Sequence, residues 1–134
     1  MHYATPPRAY DGACVITSAA LAAVGASLLL EAPPSHVHFA LSLVAAGVAS
    51  VLFRTARMAR ADACCVGGLF GLDLCAACVA GTLLTAHRPL RLTCVPAALF
   101  GVAWACYVAR LPTCSRGAHF AAHVATLWVC ARVS

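Results

Sequence analysis

The sequence predicts an all-α integral membrane protein: an antiparallel four-transmembrane-helix bundle followed by a C-terminal amphipathic helix, or by a short fifth one. Three observations predict it. Of the 134 residues, 63% are apolar and 10% are charged, against roughly 45–50% and about 25% in a soluble domain. A chain of this length buries only about two thirds of its surface on folding, so the apolar surplus must face lipid. The charges are also segregated, with long apolar runs alternating with short segments that carry the arginines.

The first run, 13–30, carries no charge, is long enough to span, and ends at Glu31. A cleaved signal peptide is the competing reading, but its apolar part is usually only about 7–15 residues. After the turn 31–36 the second run, 37–53, is shorter and stops at Arg54, Arg57 and Arg60, which puts it at the lower limit of length for a span. The third run, 63–86, is the longest and holds one acid, Asp73, near its middle. The fourth, 92–109, lies between Arg91 and Arg110 and contains Pro96, which a transmembrane helix tolerates where neighbours satisfy the freed carbonyl. Hydrocarbon offers no hydrogen-bond partners, so the turns 31–36 and 87–91 belong at the surface and join helix hairpins. Residues 1–134 are read as one membrane domain.

Short-loop arginines set the orientation. With the N-terminus inside, Arg8, Arg54, Arg57, Arg60, Arg110, Arg116 and Arg132 are inside and only Arg88 and Arg91 outside. Tyr10, Trp104 and Tyr107 fall at the same inner boundary, where amphipathic rings prefer to sit. The last segment, 117–131, gives about 22 Å of helix, short of the roughly 30 Å hydrocarbon core. His119, His123, Thr126 and Cys130 share one of its faces and Phe120, Val124, Leu127 and Trp128 the other. That pattern suits a helix lying in the wet interface, which leaves both termini cytoplasmic.

The third run carries the most chemistry. Cys64, Gly68, Gly71, Cys75, Cys78, Thr82 and Thr85 recur at alternating spacings of four and three, a continuous seam of small residues on one helical face. In lipid such a seam permits the close backbone approach on which helix association depends. Cys94, Ala98, Gly101 and Ala105 form a matching ridge on the fourth run. Asp73 lies about opposite the seam, with no basic residue at similar depth in the four runs. A charged carboxylate there costs about 2.5–3.5 kcal/mol on insertion scales, so it must face protein or water or carry a proton. Hydroxyl partners for it exist in Thr17, Ser18, Ser42 and Ser50.

Cys75-Ala-Ala-Cys78 has the spacing that lets one thiolate attack and the other resolve. Its setting is similar to that in the membrane thiol oxidoreductases of the vitamin K epoxide reductase type, four-helix bundles that pass electrons to quinones. That family adds a second Cys pair on an exported loop, and the turns 31–36 and 87–91 hold no Cys. With Cys64 and Cys65, the pair also resembles in type the small mercuric-ion membrane carriers, in which soft thiolates hand on a soft metal. His119 and His123 are spaced like two metal ligands but have no third ligand within reach.

No Walker loop, dinucleotide turn or nucleophile elbow occurs, and four acids are too few for paired-carboxylate catalysis. The net charge of +5 is spread between apolar runs rather than clustered with aromatics, so nucleic acid is not expected as a partner. The expected partners are the lipid bilayer and either a second copy or another membrane protein, with no cofactor. Three functions remain open: a non-enzymatic component of a membrane complex, a small proton or metal carrier using Asp73 and the cysteines of the third run, and a thiol oxidoreductase using Cys75 and Cys78.

Overall fold

The computed structural model describes residues 8–31, 33–87 and 90–132, which are almost wholly helical. The helices are α1 (Arg8–Glu31), α2 (Val37–Met58), α3 (Ala63–His87), α4 (Leu90–Val108) and α5 (Pro112–Ala131), with one 3₁₀ turn at Pro34–His36 before α2. The first four contain segments long and apolar enough to cross a membrane. Position 88, one of the two arginines assigned to the outer turn, lies outside the described residues.

The helix ends follow local chemistry. The Asp62 carboxylate accepts the Cys65 backbone N–H at 2.9 Å and caps α3, as a side-chain oxygen does at an exposed helix start. Pro112 opens α5 at a position where no backbone donor is needed. At the other ends of α2 and α4, Arg60 (φ 58°) and Arg110 (φ 59°) take the left-handed conformation. The N–H groups of Ala61 and Leu111 then return to Ala56 and Cys106 at 3.0 and 2.8 Å, the bond that satisfies the last carbonyls of a helix.

Packing is uneven. The tightest contact is between α1 and α2, whose backbones meet at two glycines. A Cβ on Gly25 would lie 2.8 Å from the Ala40 carbonyl oxygen, and one on Gly47 would lie 2.5 Å from that of Ser18. α3 rests mainly on α2, α5 lies on both α1 and α4, and α3 and α4 scarcely touch. The core runs between the helices as Leu21, Phe39, Leu43, Ala80, Leu84, Val129 and Cys130.

Two expectations are corrected here. The third helix does not pack through its small-residue seam against the fourth: extra atoms at Gly68, Gly71 and Gly101 would meet nothing within 4 Å. Within this chain, close approach is supplied by Gly25 and Gly47 instead. Nor does the last segment lie flat with its histidines wet. α5 has 20 residues, about 30 Å of helix, and runs antiparallel to α4 along the bundle. His123, Val129 and Cys130 are buried, and the last two pack beside Phe39 and Leu84. Arg8 and Arg132 therefore lie at opposite ends of the bundle. α5 is not among the four helices long and apolar enough to cross a membrane, and part of its polar face, His123, turns inward.

Candidate functional site

The polar interior is concentrated at the end of the bundle where α1 begins and α2 finishes. Asp11 and Arg57 are equally distant in sequence from Pro34, one before it and one after, so folding α1 back on α2 brings them together. Arg54 and Arg57 are three apart on a helix and share a face. Asp11 and Arg54 are only 2% and 4% exposed, and a charge so far from water must be paired.

The pairing is extensive. Arg54 Nη1 donates to Asp11 Oδ1 at 3.2 Å, and Arg57 Nε donates to Asp11 Oδ2 at 3.1 Å while its Nη2 also reaches Oδ1. A two-pronged guanidinium–carboxylate contact of this kind is among the stronger polar interactions. Arg54 then donates through Nη2 to His119 Nε2 of α5 at 3.1 Å, so that nitrogen is the acceptor of a neutral imidazole. His119 and His123 lie with ring centroids 4.7 Å apart, and His123 Nδ1 meets Thr17 Oγ1 of α1 at 3.3 Å. Aromatic faces enclose the cations: Tyr10 and Phe53 lie 5.3 and 5.1 Å from the Arg54 guanidinium carbon. Phe100 of α4 stands edge-on to His119.

Asp73 joins this region from α3. It lies beside Ser50 and within electrostatic reach of Arg54 and Arg57, so two acids face two arginines. The expectation of no basic residue at its depth is corrected: α2 continues as helix to Met58, and its last-turn arginines stay inside the bundle. Of the hydroxyls considered for Asp73, that of Ser50 is the neighbour. The buried Ser18 Oγ and Arg54 Nε find no hydrogen-bond partner among the described residues.

The remaining sequence candidates lie elsewhere. Cys64, Cys65, Cys75 and Cys78 are exposed on α3, on a helix of which only Ala80 and Leu84 are buried. No disulfide joins cysteines among the described residues, and no three His, Cys, Asp or Glu side chains there converge as metal ligands. Gly68 and Gly71 line open space beside these thiols.

Sequence reasoning counted Asp11, Arg54 and Arg57 as loop charges and missed that they pair. The signal that could have found them is the equal spacing of Asp11 and Arg57 from the turn. No protein-family model matches this chain, and neither a curated protein nor a solved structure matches it. The class defined by fold and composition is an all-helical chain with four helices able, by length and apolarity, to cross a membrane.

Proposed function

We propose that this chain is a small multi-pass membrane protein that acts without catalysis, as a component of a membrane assembly joined through α3. The observation that carries the reading is the state of the small-residue seam. Gly67, Gly68 and Gly71 have open space where a side chain would stand, although a glycine-lined helix face in lipid is the feature that lets a second helix approach closely. The seam continues toward a shallow hollow of about 300 Å³ bounded by Cys78, Val79, Thr82 and Leu83. The chain's own helices leave both uncovered. The partner is a transmembrane helix of a second copy or of another membrane protein.

The packing of α5 moves Arg132 to the end opposite Arg8 but leaves the rest of the expected orientation as it is. Among the described residues Arg8, Arg54, Arg57, Arg60, Arg110 and Arg116 gather at one end, against Arg91 and Arg132 at the other, and this bias supports an orientation with the arginine-rich end in the cytoplasm. The test replaces Gly68 and Gly71 with Leu and follows co-purification from membranes. The complex is lost while the helical content is kept; an unaltered complex overturns the reading.

A second reading, a proton or cation carrier, is favoured by one observation: Asp73 stands half-buried beside the Ser50 hydroxyl, within electrostatic reach of the buried Arg54 and of Arg57. It requires liposome uptake that disappears in Asp73→Asn, and undiminished uptake in that variant removes it.

A further inference from the structure

Away from the ionic cluster, α4 and α5 enclose a groove of about 730 Å³, within the range of small-ligand sites. Its walls are hydrocarbon: Leu92, Val95 and Pro96 from α4 face Phe120, Val124 and Trp128 from α5. The one charged residue on the wall is Arg91, at the beginning of α4. α5 runs antiparallel to α4, so its last turn reaches the same end. There the Arg132 guanidinium lies over the face of Trp128, 4.1 Å from the ring centroid.

We infer that this groove binds an anionic phospholipid, with one acyl chain between α4 and α5 and the headgroup phosphate held by Arg91 and Arg132. Three features favour this occupant, and the inference rests on the membrane reading above. An acyl chain matches a lining without carboxylates and with almost no polar surface. Arginine forks are suited to phosphate oxygens, and two of them at one mouth favour a headgroup whose negative charge is not offset by a choline. Tryptophan at the mouth marks the level where amphipathic rings settle between hydrocarbon and water. The two arginines are exposed, so reaching a phosphate requires no rearrangement of the core. A polar residue pattern that turns inward on α5 leaves its outer face free to meet a lipid chain.

The experiment has two parts. Carbonate extraction first asks whether the full chain is embedded in membranes. The embedded protein, purified in mild detergent, is then offered phosphatidylglycerol or phosphatidylcholine and examined by native mass spectrometry. Wild type retains one phosphatidylglycerol in preference to phosphatidylcholine by roughly tenfold or more, as two interfacial arginines imply. R91Q/R132Q abolishes the preference, and Ala125→Trp, which fills the groove, removes both lipids. If the double variant loses helical structure, the groove-filling variant decides. Equal retention of the two lipids, or retention unchanged in Ala125→Trp, overturns the site while leaving the membrane reading intact. A dimer mass lost in Ala125→Trp, with no bound lipid, overturns it in favour of a second copy. Release by carbonate fails the membrane reading itself.

Discussion

Asp11 in the first turns of α1 and Arg54 near the end of α2 form a buried ion pair between two distant parts of the sequence, Nη1 to Oδ1 at 3.2 Å. Because the same guanidinium also holds His119, one side chain ties α2 to both α1 and α5. The pair is therefore a connector between helices as well as a local neutralisation.

Breaking it is expected to be expensive. Asp11→Asn leaves two arginines with Asp73 as the remaining nearby acid, and removing one partner of a buried pair costs about 3–5 kcal/mol. Unfolding titrations in a fixed detergent micelle should show a loss of that size. The double variant Asp11→Leu with Arg54→Met removes both charges and should recover much of it. A loss below about 0.5 kcal/mol for Asp11→Asn, the level of an ordinary surface substitution, would mean that the pair is wet.

Acidification should loosen α5. His119 Nε2 accepts from Arg54 only while unprotonated, and a protonated ring would confront Arg54, with Arg57 behind it and His123 4.7 Å away. Asp73 lies on the far helix, and Asp11 already accepts three bonds from the arginines. A released imidazole takes up its proton at about pH 6.5, so below that value the undocked state binds more protons and the docked one loses ground. The loss reaches at most about 1.4 kcal/mol per pH unit for this ring. Melting temperatures between pH 7.5 and 5 should fall for wild type and fall less for His119→Gln, which accepts the same bond without titrating; parallel curves would contradict the assignment.

The glycines should divide into two classes. Gly25→Ala and Gly47→Ala place a carbon within 2.8 and 2.5 Å of backbone oxygens, so α1 and α2 must separate, at about 1–3 kcal/mol. Gly67→Ala, Gly68→Ala and Gly71→Ala meet nothing within 4 Å and should raise helix stability by about 0.5–1 kcal/mol. Melting curves of the five single variants distinguish the classes, and equal effects would contradict the packing.

Two helix ends offer stabilisation. Arg60 and Arg110 hold φ at 58° and 59°, where an ordinary side chain is strained and glycine is not. Arg60→Gly and Arg110→Gly should each raise stability by about 1 kcal/mol, read as a higher melting temperature. Loss of the arginine charge should not affect the Asp11 cluster.

The four long apolar helices were legible because long uninterrupted apolarity reads directly from the sequence, and the four runs correspond to α1 through α4. Their ends were less so. Bounding the first two helices at the nearest charge puts their ends too far inside, since α1 begins at Arg8 and α2 continues to Met58, because Asp11 and the two arginines neutralise one another inside the bundle. The stripe His119, His123, Thr126 and Cys130 was visible as a polar face, but periodicity cannot say whether such a face meets water or a buried guanidinium. Small-residue patterns likewise mark where a helix can be approached, not by which neighbour. Gly25 and Gly47 serve the fold, whereas Gly68 and Gly71 remain uncovered.

The uncovered seam is the centre of the functional account, and its test is direct because substitution there spares the chain's own packing. Wild type and the Gly68→Leu, Gly71→Leu double variant are extracted from membranes in the same detergent, and their complexes are compared by size and composition. The account predicts that wild type emerges with a partner chain and the variant emerges alone, with the same helical content and melting temperature no lower. A variant that keeps the same complex would contradict it, and α3 would then have no role in association.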